Sequence, residues 1–415
     1  MIKLIHLADV HIGMENYGRL NPETGLNTRL HDFLDTLDEA VNRAIEERVD
    51  AVVVAGDVYK SRDPSPTHQQ QLARRIIRLI KNDIHVVLVP GNHDTPMATG
   101  RATSVDIFRE LELPNVTVMR RIAAERIITR SGPLQVVSLP WLTRGTLLAH
   151  DEYRNLPIDE LLQQMQAIID EALPRLSGGL DPSIPAVLVG HAHVFGARVG
   201  AERLLTLGND PMLNASMLDL PNIGYHALGH IHKHQAVVSG PRPAVYAGSI
   251  NRVDFSEEDE KKGFVLVELQ AGKSEWEMVP VKARPFLTIR VEPLGDSPTE
   301  EVVKAILRAG PRIENAIVRL QLSGPRARLQ AIDEREVRRE LASAHFLTPI
   351  QRDYTDEARA RVLGSELQGK SPLDLVALYF ERQNVGAERR DQLLARARAL
   401  MTEQQPGLRP QEAGV

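Results

Sequence analysis

The sequence contains no cysteine, which excludes disulfide bonds, thiolate metal ligands and a cysteine nucleophile. It also has no apolar run long enough to cross a bilayer, so we expect no transmembrane segment. The apolar stretch at the N-terminus is too short for a secretory signal and leads at once into polar residues. These absences are expected of a cytoplasmic protein, although they leave other locations open.

An excess of positive charge is missing as well. The formal net charge is −5 at pH 7, whereas a domain that binds nucleic acid through its overall charge is usually basic. Any contact with phosphate must therefore come from local patches or from bound metal ions. The 415 residues are enough for two or three domains with a sizeable core.

Short β-branched runs alternate with amphipathic helical patterns in the N-terminal part of the chain. Strands are predicted over residues 3–10, 51–55 and 84–90, with a helix between each pair. This βαβαβ order predicts an α/β fold with a largely parallel sheet and helices on its faces. Strands over 186–189 and 225–228 are expected to extend the sheet core.

Each of these strands ends in a short polar motif. Because open α/β sheets place their ligands at the carboxyl ends of the strands, the motifs are expected to meet there. They are Asp9-Val10-His11, Gly56-Asp57, Gly91-Asn92-His93-Asp94, Gly190-His191-Ala192-His193 and Gly229-His230-Ile231-His232. The fourth motif offers two histidines, of which His191 is favoured because it directly follows the strand-ending glycine.

The mixture of side chains in these motifs predicts a metal centre. Imidazole nitrogen combined with carboxylate and amide oxygen suits Mn²⁺, Fe²⁺ or Zn²⁺ better than Mg²⁺ or Ca²⁺. The candidate ligands are too many for one tetrahedral ion, whereas two ions that share a bridging carboxylate would use them all. A two-metal centre activates water at neutral pH and stabilises the charge of a phosphoryl transition state, which predicts phosphoester hydrolysis.

The order of the five motifs resembles that of the calcineurin-like metallophosphoesterases, over residues 1 to about 281. Within that superfamily the chain is most similar to the SbcD-type nuclease subunits of double-strand-break repair complexes. The narrower resemblance depends on the start Asp9-Val10-His11-Ile12-Gly13, on an α+β segment after Arg284, and on a late helical pair that contains Leu378-Tyr379-Phe380.

The resemblance implies two Mn²⁺ ions per chain, although other divalent transition metals are possible. One ion would be held by Asp9, His11, Asp57 and His232. The other would be held by Asp57, Asn92, His191 and His230, so that Asp57 bridges the pair.

The resemblance also implies two residues with catalytic roles. His93 would face the scissile phosphate, stabilising it or protonating the leaving oxygen, and Asp94 would orient that imidazole by a hydrogen bond. The chain departs from many relatives at Tyr59-Lys60, where they have a histidine or an acidic residue, which puts a secondary substrate contact in doubt.

Changes of pattern divide the chain into several segments. We expect a metallophosphoesterase domain over 1–282, an α+β DNA-capping domain over 283–353, a linker over 354–370, a helical pair over 371–403 and a disordered tail over 404–415.

The helical pair has an apolar stripe that must be buried against something. The resemblance implies that it binds the coiled coil of an SbcC-type, SMC-like ATPase; the alternative is docking onto its own domain. The residues expected at this contact are Leu375, Leu378, Tyr379, Phe380, Leu393 and Leu394.

The loop before the first helix is expected to bind DNA. Its length favours a function, although a plain connection is the alternative. The candidate contacts are Asn16, Tyr17, Arg19 and Arg29. The resemblance further implies a homodimer and a prokaryotic source.

We therefore expect a manganese-dependent DNA nuclease, an exonuclease and endonuclease acting on double-strand ends and hairpins within an SbcC–SbcD-type complex. One alternative is a metallophosphoesterase that acts on phosphoprotein or small cyclic nucleotides. Another is a DNA-tethering scaffold in which the metal ions are structural.

Overall fold

The structure, a computed structural model, describes residues 1–96, 98, 100–145, 153, 156–200, 211–355, 371–382 and 386–403. The chain forms two compact units. The first comprises Met1–Ile289, Ala305–Leu320 and Arg338–Ile350. The second comprises Arg290–Lys304, Gln321–Val337 and, where described, Gln351–Val415.

The first unit contains a sheet built mainly from the N-terminal part of the chain. Its strands are β1 (Ile2–Leu7), β2 (Ala51–Ala55), β3 (His85–Val89), β4 (Val116–Val118), β13 (Gly263–Gln270) and β14 (Lys273–Pro280). They lie in the order β14-β13-β1-β2-β3-β4. Strands β1 to β4 pair in parallel, while β13 and β14 pair antiparallel at the other edge.

A second sheet of the same unit is also parallel at its centre. Its strands are β5 (Ala123–Thr129), β6 (Gly132–Leu139), β7 (Ala186–His191), β10 (Tyr225–Gly229), β11 (Gln235–Val238) and β12 (Ala244–Tyr246). They lie in the order β11-β12-β10-β7-β6-β5. The short strands β8 (His193–Val194) and β9 (Met212–Leu213) pair with each other in parallel.

The two sheets face each other across one apolar core. Successive side chains of a strand point to opposite faces, so Leu4 of β1 lies in this inner core and Ile5 lies in an outer one. The inner core combines Val53 and Val87 of the first sheet with Val136, Val187 and Tyr225 of the second. Burial on both faces explains why these strands are almost continuously apolar.

Helices cover the outer faces of both sheets. In chain order they are α1 (Thr28–Glu46), α2 (Pro66–Ile80), the short α3 (Ile107–Glu110) and α4 (Ile158–Gly178). Phe33 of α1 and Ile76 of α2 pack on the first sheet, and Ile169 of α4 packs on the second. The predicted α/β class is confirmed. The core, however, contains two sheets with parallel strands at their centres. The sequence did not predict this division, because apolar runs alone do not indicate which strands are neighbours.

The chain beyond residue 284 follows the predicted alternation of strands and helices. The elements are β15 (Phe286–Val291), α5 (Pro298–Ala309), β16 (Ile317–Gly324), α6 (Arg326–Gln330), α7 (Glu334–Glu340), β17 (Phe346–Leu347) and β18 (Gln351–Tyr354). In the first unit, β16 pairs in parallel with β17. In the second unit, the end of β16 pairs in parallel with β18.

The predicted helical pair consists of α8 (Pro372–Arg382) and α9 (Ala387–Glu403), which contact each other in the second unit. The predicted linker over 354–370 lies outside the described residues from residue 356 onward, and so does the whole predicted tail over 404–415. Where the chain is described, no helix is both long and apolar enough to span a membrane.

Candidate metal centre

The predicted ligands lie where the parallel strands of the first unit end. Asp9, Asp57 and Asn92 follow β1, β2 and β3 of the first sheet. His191 is the last residue of β7, and His230 directly follows β10. Both sheets therefore contribute polar side chains from the carboxyl ends of their strands, as the sequence pattern predicted.

Four of the candidate ligands have left-handed backbone conformations. The φ angles are 50° at Asp9, 49° at His11, 51° at Asp57 and 99° at His230. Residues with a Cβ rarely adopt this conformation, which costs about 1–3 kcal/mol each and persists only where surrounding structure enforces it. The sharp turns allow these side chains to leave the strand ends toward a common point.

One group of ligand atoms is centred on His11 and His232. Their Nε2 atoms lie 3.0 Å apart, and the Nε2 atom of His11 is 4.0 Å from Oδ2 of Asp57. Asp9, His11 and His232 each offer a ligand atom within 4.8 Å of the others. This group matches one of the two predicted ion sites.

A second group surrounds Asn92. Its Oδ1 atom lies 2.9 Å from Nε2 of His191 and 3.2 Å from Nδ1 of His230. Oδ1 of Asp57 is 3.6 Å from the same His191 nitrogen. Because the other Asp57 oxygen points toward His11, this carboxylate lies between the two groups, where a bridging ligand is expected.

The chemistry of this cluster fits divalent cations. The facing Nε2 atoms of His11 and His232 cannot both donate a hydrogen bond, and among the described residues Nε2 of His230 is buried without a hydrogen-bond partner. Burial, reinforced by neighbouring imidazoles, lowers the pKa of His11 and His230 well below the usual range, so both rings are neutral and can act as ligands. Burial raises the pKa of the Asp57 carboxyl group, and a cation bound beside it would favour the charged form.

His93 lies at the open side of the cluster. Its side chain is 29% exposed, and its Nε2 atom is 4.0 Å from Oδ2 of Asp57. Nδ1 lies 2.9 Å from the carbonyl oxygen of Lys60, so this nitrogen donates and Nε2 is left to face the site. The backbone N–H of His93 donates to Oδ1 of Asp57 at 2.8 Å, which ties the loop to the cluster.

Comparison with known proteins identifies the family of this chain. The family model described as calcineurin-like phosphoesterase matches residues 2–234. The chain belongs to this family. The family predicted from the order of the motifs is thus confirmed, and this calcineurin-like phosphoesterase is a hydrolase of phosphate esters. Divalent metal ions are the cofactors of the family, and the clustered side chains are the candidate ligands.

The relatives of this phosphoesterase include the SbcD type that the sequence indicated. The DNA double-strand break repair protein Mre11 of Archaeoglobus fulgidus is 28% identical over 353 residues, covering 81% of this chain and 70% of that protein. The SbcD subunit of the nuclease SbcCD of Rhodobacter capsulatus is 26% identical over 347 residues, covering 78% of this chain and 81% of that protein. The SbcD subunit of Escherichia coli K12 is 26% identical over 284 residues, covering 66% of each.

Among solved structures, a dimetal phosphatase from Danio rerio matches 67% of this phosphoesterase and 98% of that chain, with a TM-score of 0.35 and 14% identity.

The role predicted for Asp94 needs a correction. Its fully buried carboxylate accepts hydrogen bonds from the backbone of Val58, Tyr59 and Gly91 and from the Ser104 hydroxyl, at 3.0 to 3.1 Å. The imidazole of His93 is oriented by a backbone carbonyl instead. Asp94 therefore holds the loops together and does not orient His93 directly.

The predicted DNA contacts fall into two classes. Asn16 and Arg19 are exposed, although Arg19 also donates to the carbonyl oxygen of His345. Tyr17 is half-buried, and its ring meets Phe255 and Phe286 edge to face. These three residues remain candidates for contact with a substrate.

Arg29 cannot be a DNA contact, which is a second correction. Its side chain is fully buried, and its guanidinium donates to Asp32 at 2.6 Å and to the carbonyl oxygen of Arg252 at 2.6 Å. It also lies 5.1 Å from the ring centroid of Phe33. The residue is part of the core at the start of α1 and has no surface with which to bind phosphate.

The predicted partner-binding residues lie on helices with little internal burial. In the part of α8 and α9 whose side chains are described, every residue is half-buried or exposed. Tyr379 is 59% exposed. The other five predicted contact residues are half-buried: Leu375, Leu378, Phe380, Leu393 and Leu394.

Two residues near the metal centre were not predicted. Trp141 lies with its ring centroid 4.9 Å from that of His230 and 5.8 Å from that of His191. It follows β6 at the same sheet edge, which is the signal that could have identified it. Glu257 accepts a hydrogen bond from His232, but nothing in its acidic surroundings marks it in the sequence.

Proposed function

We propose that this phosphoesterase is a manganese-dependent DNA nuclease that hydrolyses phosphodiesters with two metal ions. The observation that carries the proposal is the convergence, at one edge of the two sheets, of all the predicted ligand side chains beside His93. The relatives named as Mre11 and as the SbcD component of the nuclease SbcCD support DNA as the substrate, at double-strand ends and hairpins.

The residues present fit two divalent ions that share Asp57. One ion would be held by Asp9, His11, Asp57 and His232, and the other by Asp57, Asn92, His191 and His230. When bound, such ions activate water and neutralise charge that develops on the phosphate. The neutral imidazoles and the buried carboxylates are the donors this requires.

His93 is the side chain of this chain best placed to handle a proton. Its Nδ1–H is held by the Lys60 carbonyl, so Nε2 faces the substrate side of the cluster and presents an N–H there when the ring is protonated. There it can stabilise the phosphate oxygens or transfer its proton to the leaving oxygen. Asp94 maintains this geometry by holding Gly91 and Val58, which belong to the two loops that meet at the site.

The remaining parts of the proposal concern substrate and partners. Asn16, Tyr17 and Arg19 would contact DNA, and the α+β segment over 283–353 would cap it. Helices α8 and α9 would bind the coiled coil of an SbcC-type ATPase through their half-exposed apolar side chains. A homodimer, as in an SbcC–SbcD-type complex, completes the proposal.

The test is Mn²⁺-dependent degradation of linear duplex DNA by purified protein, beside a chromogenic phosphodiester and a phosphomonoester. We expect His93→Asn to lower the cleavage rate by about 10²–10⁴-fold while the content of bound Mn²⁺ is unchanged. Asp57→Asn should abolish cleavage and should lower the number of Mn²⁺ ions bound per chain, because it removes the carboxylate that both ions would share. Cleavage by both variants at the wild-type rate would indicate a contaminant and overturn the assignment.

The same assay separates the alternatives. Hydrolysis of the small esters alone, with no DNA cleavage even when the partner ATPase and ATP are added, would favour a phosphoesterase for phosphoprotein or cyclic nucleotides. DNA bridging that persists in Asp57→Asn, without any hydrolysis by the wild type, would favour a tethering scaffold.

A further inference from the structure

A buried carboxylate lies directly behind one of the candidate ligands. Glu257 ends the 3₁₀ turn Phe255–Glu257, and its Oε1 atom lies 2.7 Å from Nδ1 of His232. The side chain of Glu257 is only 1% exposed. A carboxylate accepts hydrogen bonds and cannot donate, so Nδ1 of His232 carries a proton, and in the neutral ring Nε2 holds the lone pair.

The second oxygen of the same carboxylate is fully occupied by other donors. Oε2 lies 2.7 Å from the ammonium of Lys262, 3.0 Å from the backbone N of Val253 and 3.2 Å from the hydroxyl of Ser249. Lys262 is equally buried, and its ammonium also donates to the carbonyl oxygen of His232 at 3.1 Å. The ion pair thus contacts both the ring and the backbone of the histidine.

The backbone that carries Glu257 is itself held in place. The guanidinium of Arg252 donates to the carbonyl oxygens of Glu257 at 3.2 Å and Glu260 at 2.7 Å. It also donates to the carbonyl oxygen of Arg284 at 3.1 Å. With these contacts the segment around Glu257 forms a rigid support.

His232 is the imidazole of its ion site that most needs such support. Its side chain is 13% exposed, whereas that of His11 is 1% exposed. An imidazole without a fixed hydrogen-bond partner can rotate about its side-chain torsions and can adopt either tautomer. A short hydrogen bond to a fixed carboxylate removes both freedoms.

We propose that Glu257 is a positioning residue of the metal centre, which fixes the tautomer and orientation of His232 so that Nε2 is its ligand atom, while Lys262 balances the buried charge. This inference rests on the proposed function, because it takes His232 to bind one of the two ions. It predicts that loss of the carboxylate weakens binding of one ion and leaves the other ion unaffected.

The experiment measures Mn²⁺ binding to the metal-stripped full chain by isothermal titration calorimetry. In Glu257→Gln we expect about 10–100-fold weaker binding of one Mn²⁺ ion and unchanged binding of the other. The matched control is Glu260→Gln, since Glu260 also contacts the Lys262 ammonium, at 2.8 Å, but has no hydrogen bond to His232. This control should bind both ions like the wild type.

Two further variants keep the test decisive. Because Glu257→Gln removes one of the two carboxylates that contact the buried Lys262 ammonium, the double variant Glu257→Gln/Lys262→Met removes both charges of the Glu257–Lys262 pair and should show the same selective loss with better stability in EDTA. In a His232→Asn background, Glu257→Gln should have no additional effect on Mn²⁺ binding, because its effect acts through that ring.

The possible failures are distinguishable. Wild-type affinity for both ions in Glu257→Gln and in the double variant would overturn the role of Glu257, and so would an equal loss in Glu260→Gln. Absence of Mn²⁺ binding by the wild-type chain would overturn the proposed function itself, and this inference with it.

Discussion

His191 and His193 share one motif, yet they have different surroundings. The Nε2 atom of His191 lies between Asn92 and Asp57, at 2.9 Å and 3.6 Å. His193 begins β8, and its ring centroid is 6.2 Å from that of His230. Of these two histidines, only His191 belongs to a group of potential metal ligands in the described part of the chain.

These positions predict different effects of the same substitution. We expect His191→Asn to lose one bound Mn²⁺ ion at metal concentrations that saturate the wild type, whereas His193→Asn should retain both. Metal analysis after removal of free Mn²⁺ measures the difference. Loss of metal in His193→Asn with full retention in His191→Asn would reverse the assignment.

Gly56 is needed beside the same imidazole. It has a φ of +83°, and a Cβ atom at this position would overlap the ring of His191. We expect Gly56→Ala to cost stability and to displace His191, so that Mn²⁺ affinity falls by about tenfold or more.

A matched glycine separates backbone strain from this clash. Gly272 has a φ of +71° and open space where a Cβ would lie. Gly272→Ala should cost about 1–2 kcal/mol in urea unfolding from the left-handed backbone alone. It should leave Mn²⁺ affinity unchanged; a similar loss of affinity in both variants would show that the effect at Gly56 is not local.

At the scale of elements, the start of α1 shows why Arg29 is not a DNA contact. Asp32 binds Arg29 on one side and Arg284 on the other, with contacts of 2.5 to 2.6 Å. This buried network joins the first turn of α1 to the chain after β14. Its charges are paired with one another and are not available to a ligand.

This network predicts that Arg29 and Arg19 behave oppositely. Arg29→Met should lower the free energy of unfolding by about 3 kcal/mol, because a buried charge pair loses one partner. DNA affinity of the folded fraction should be unchanged. The exposed Arg19→Met should alter stability by less than about 0.5 kcal/mol and weaken DNA binding. Urea unfolding and fluorescence anisotropy with labelled duplex measure both, and weaker DNA binding in Arg29→Met at full folding would refute the structural role.

At the scale of the whole molecule, the protein interior contains neutral histidines. Burial lowers the pKa of His6 to about 3 and that of His226 to about 4. The unfolded chain binds protons at these residues near pH 6.5, whereas the folded chain does so only at lower pH. Their contribution to stability is therefore complete above pH 6.5 and is lost as the pH falls from 6.5 toward 4 and below.

We expect the free energy of unfolding of the metal-free protein to fall below pH 6.5, by up to about 1.4 kcal/mol per pH unit for each such histidine. His226→Asn tests this, because an amide can replace the hydrogen bond to the Pro243 carbonyl but does not titrate. Urea unfolding in EDTA at several pH values should show a shallower slope for the variant. An identical slope would mean that His226 does not contribute.

The amino-acid sequence by itself determined the family, the α/β class and the set of candidate ligands. Strand periodicity can be recognised within a short stretch of sequence, and so can the metal-ligand side chains of the five polar motifs. Both predictions are therefore independent of which strands are neighbours in the sheets. The helical pair and the alternation after residue 284 were predictable for the same reason.

Only the tertiary structure decided which polar side chains are buried and what they contact. The sequence pattern assigns Arg29 to an exposed loop, but its guanidinium binds Asp32, which also binds Arg284. The carboxylate of Asp94 accepts hydrogen bonds from loop backbone and not from its neighbour His93. Glu257 meets His232 although 25 residues separate them. Hydrogen-bond partners of buried groups are set by packing between distant segments, which no local pattern in a single sequence encodes.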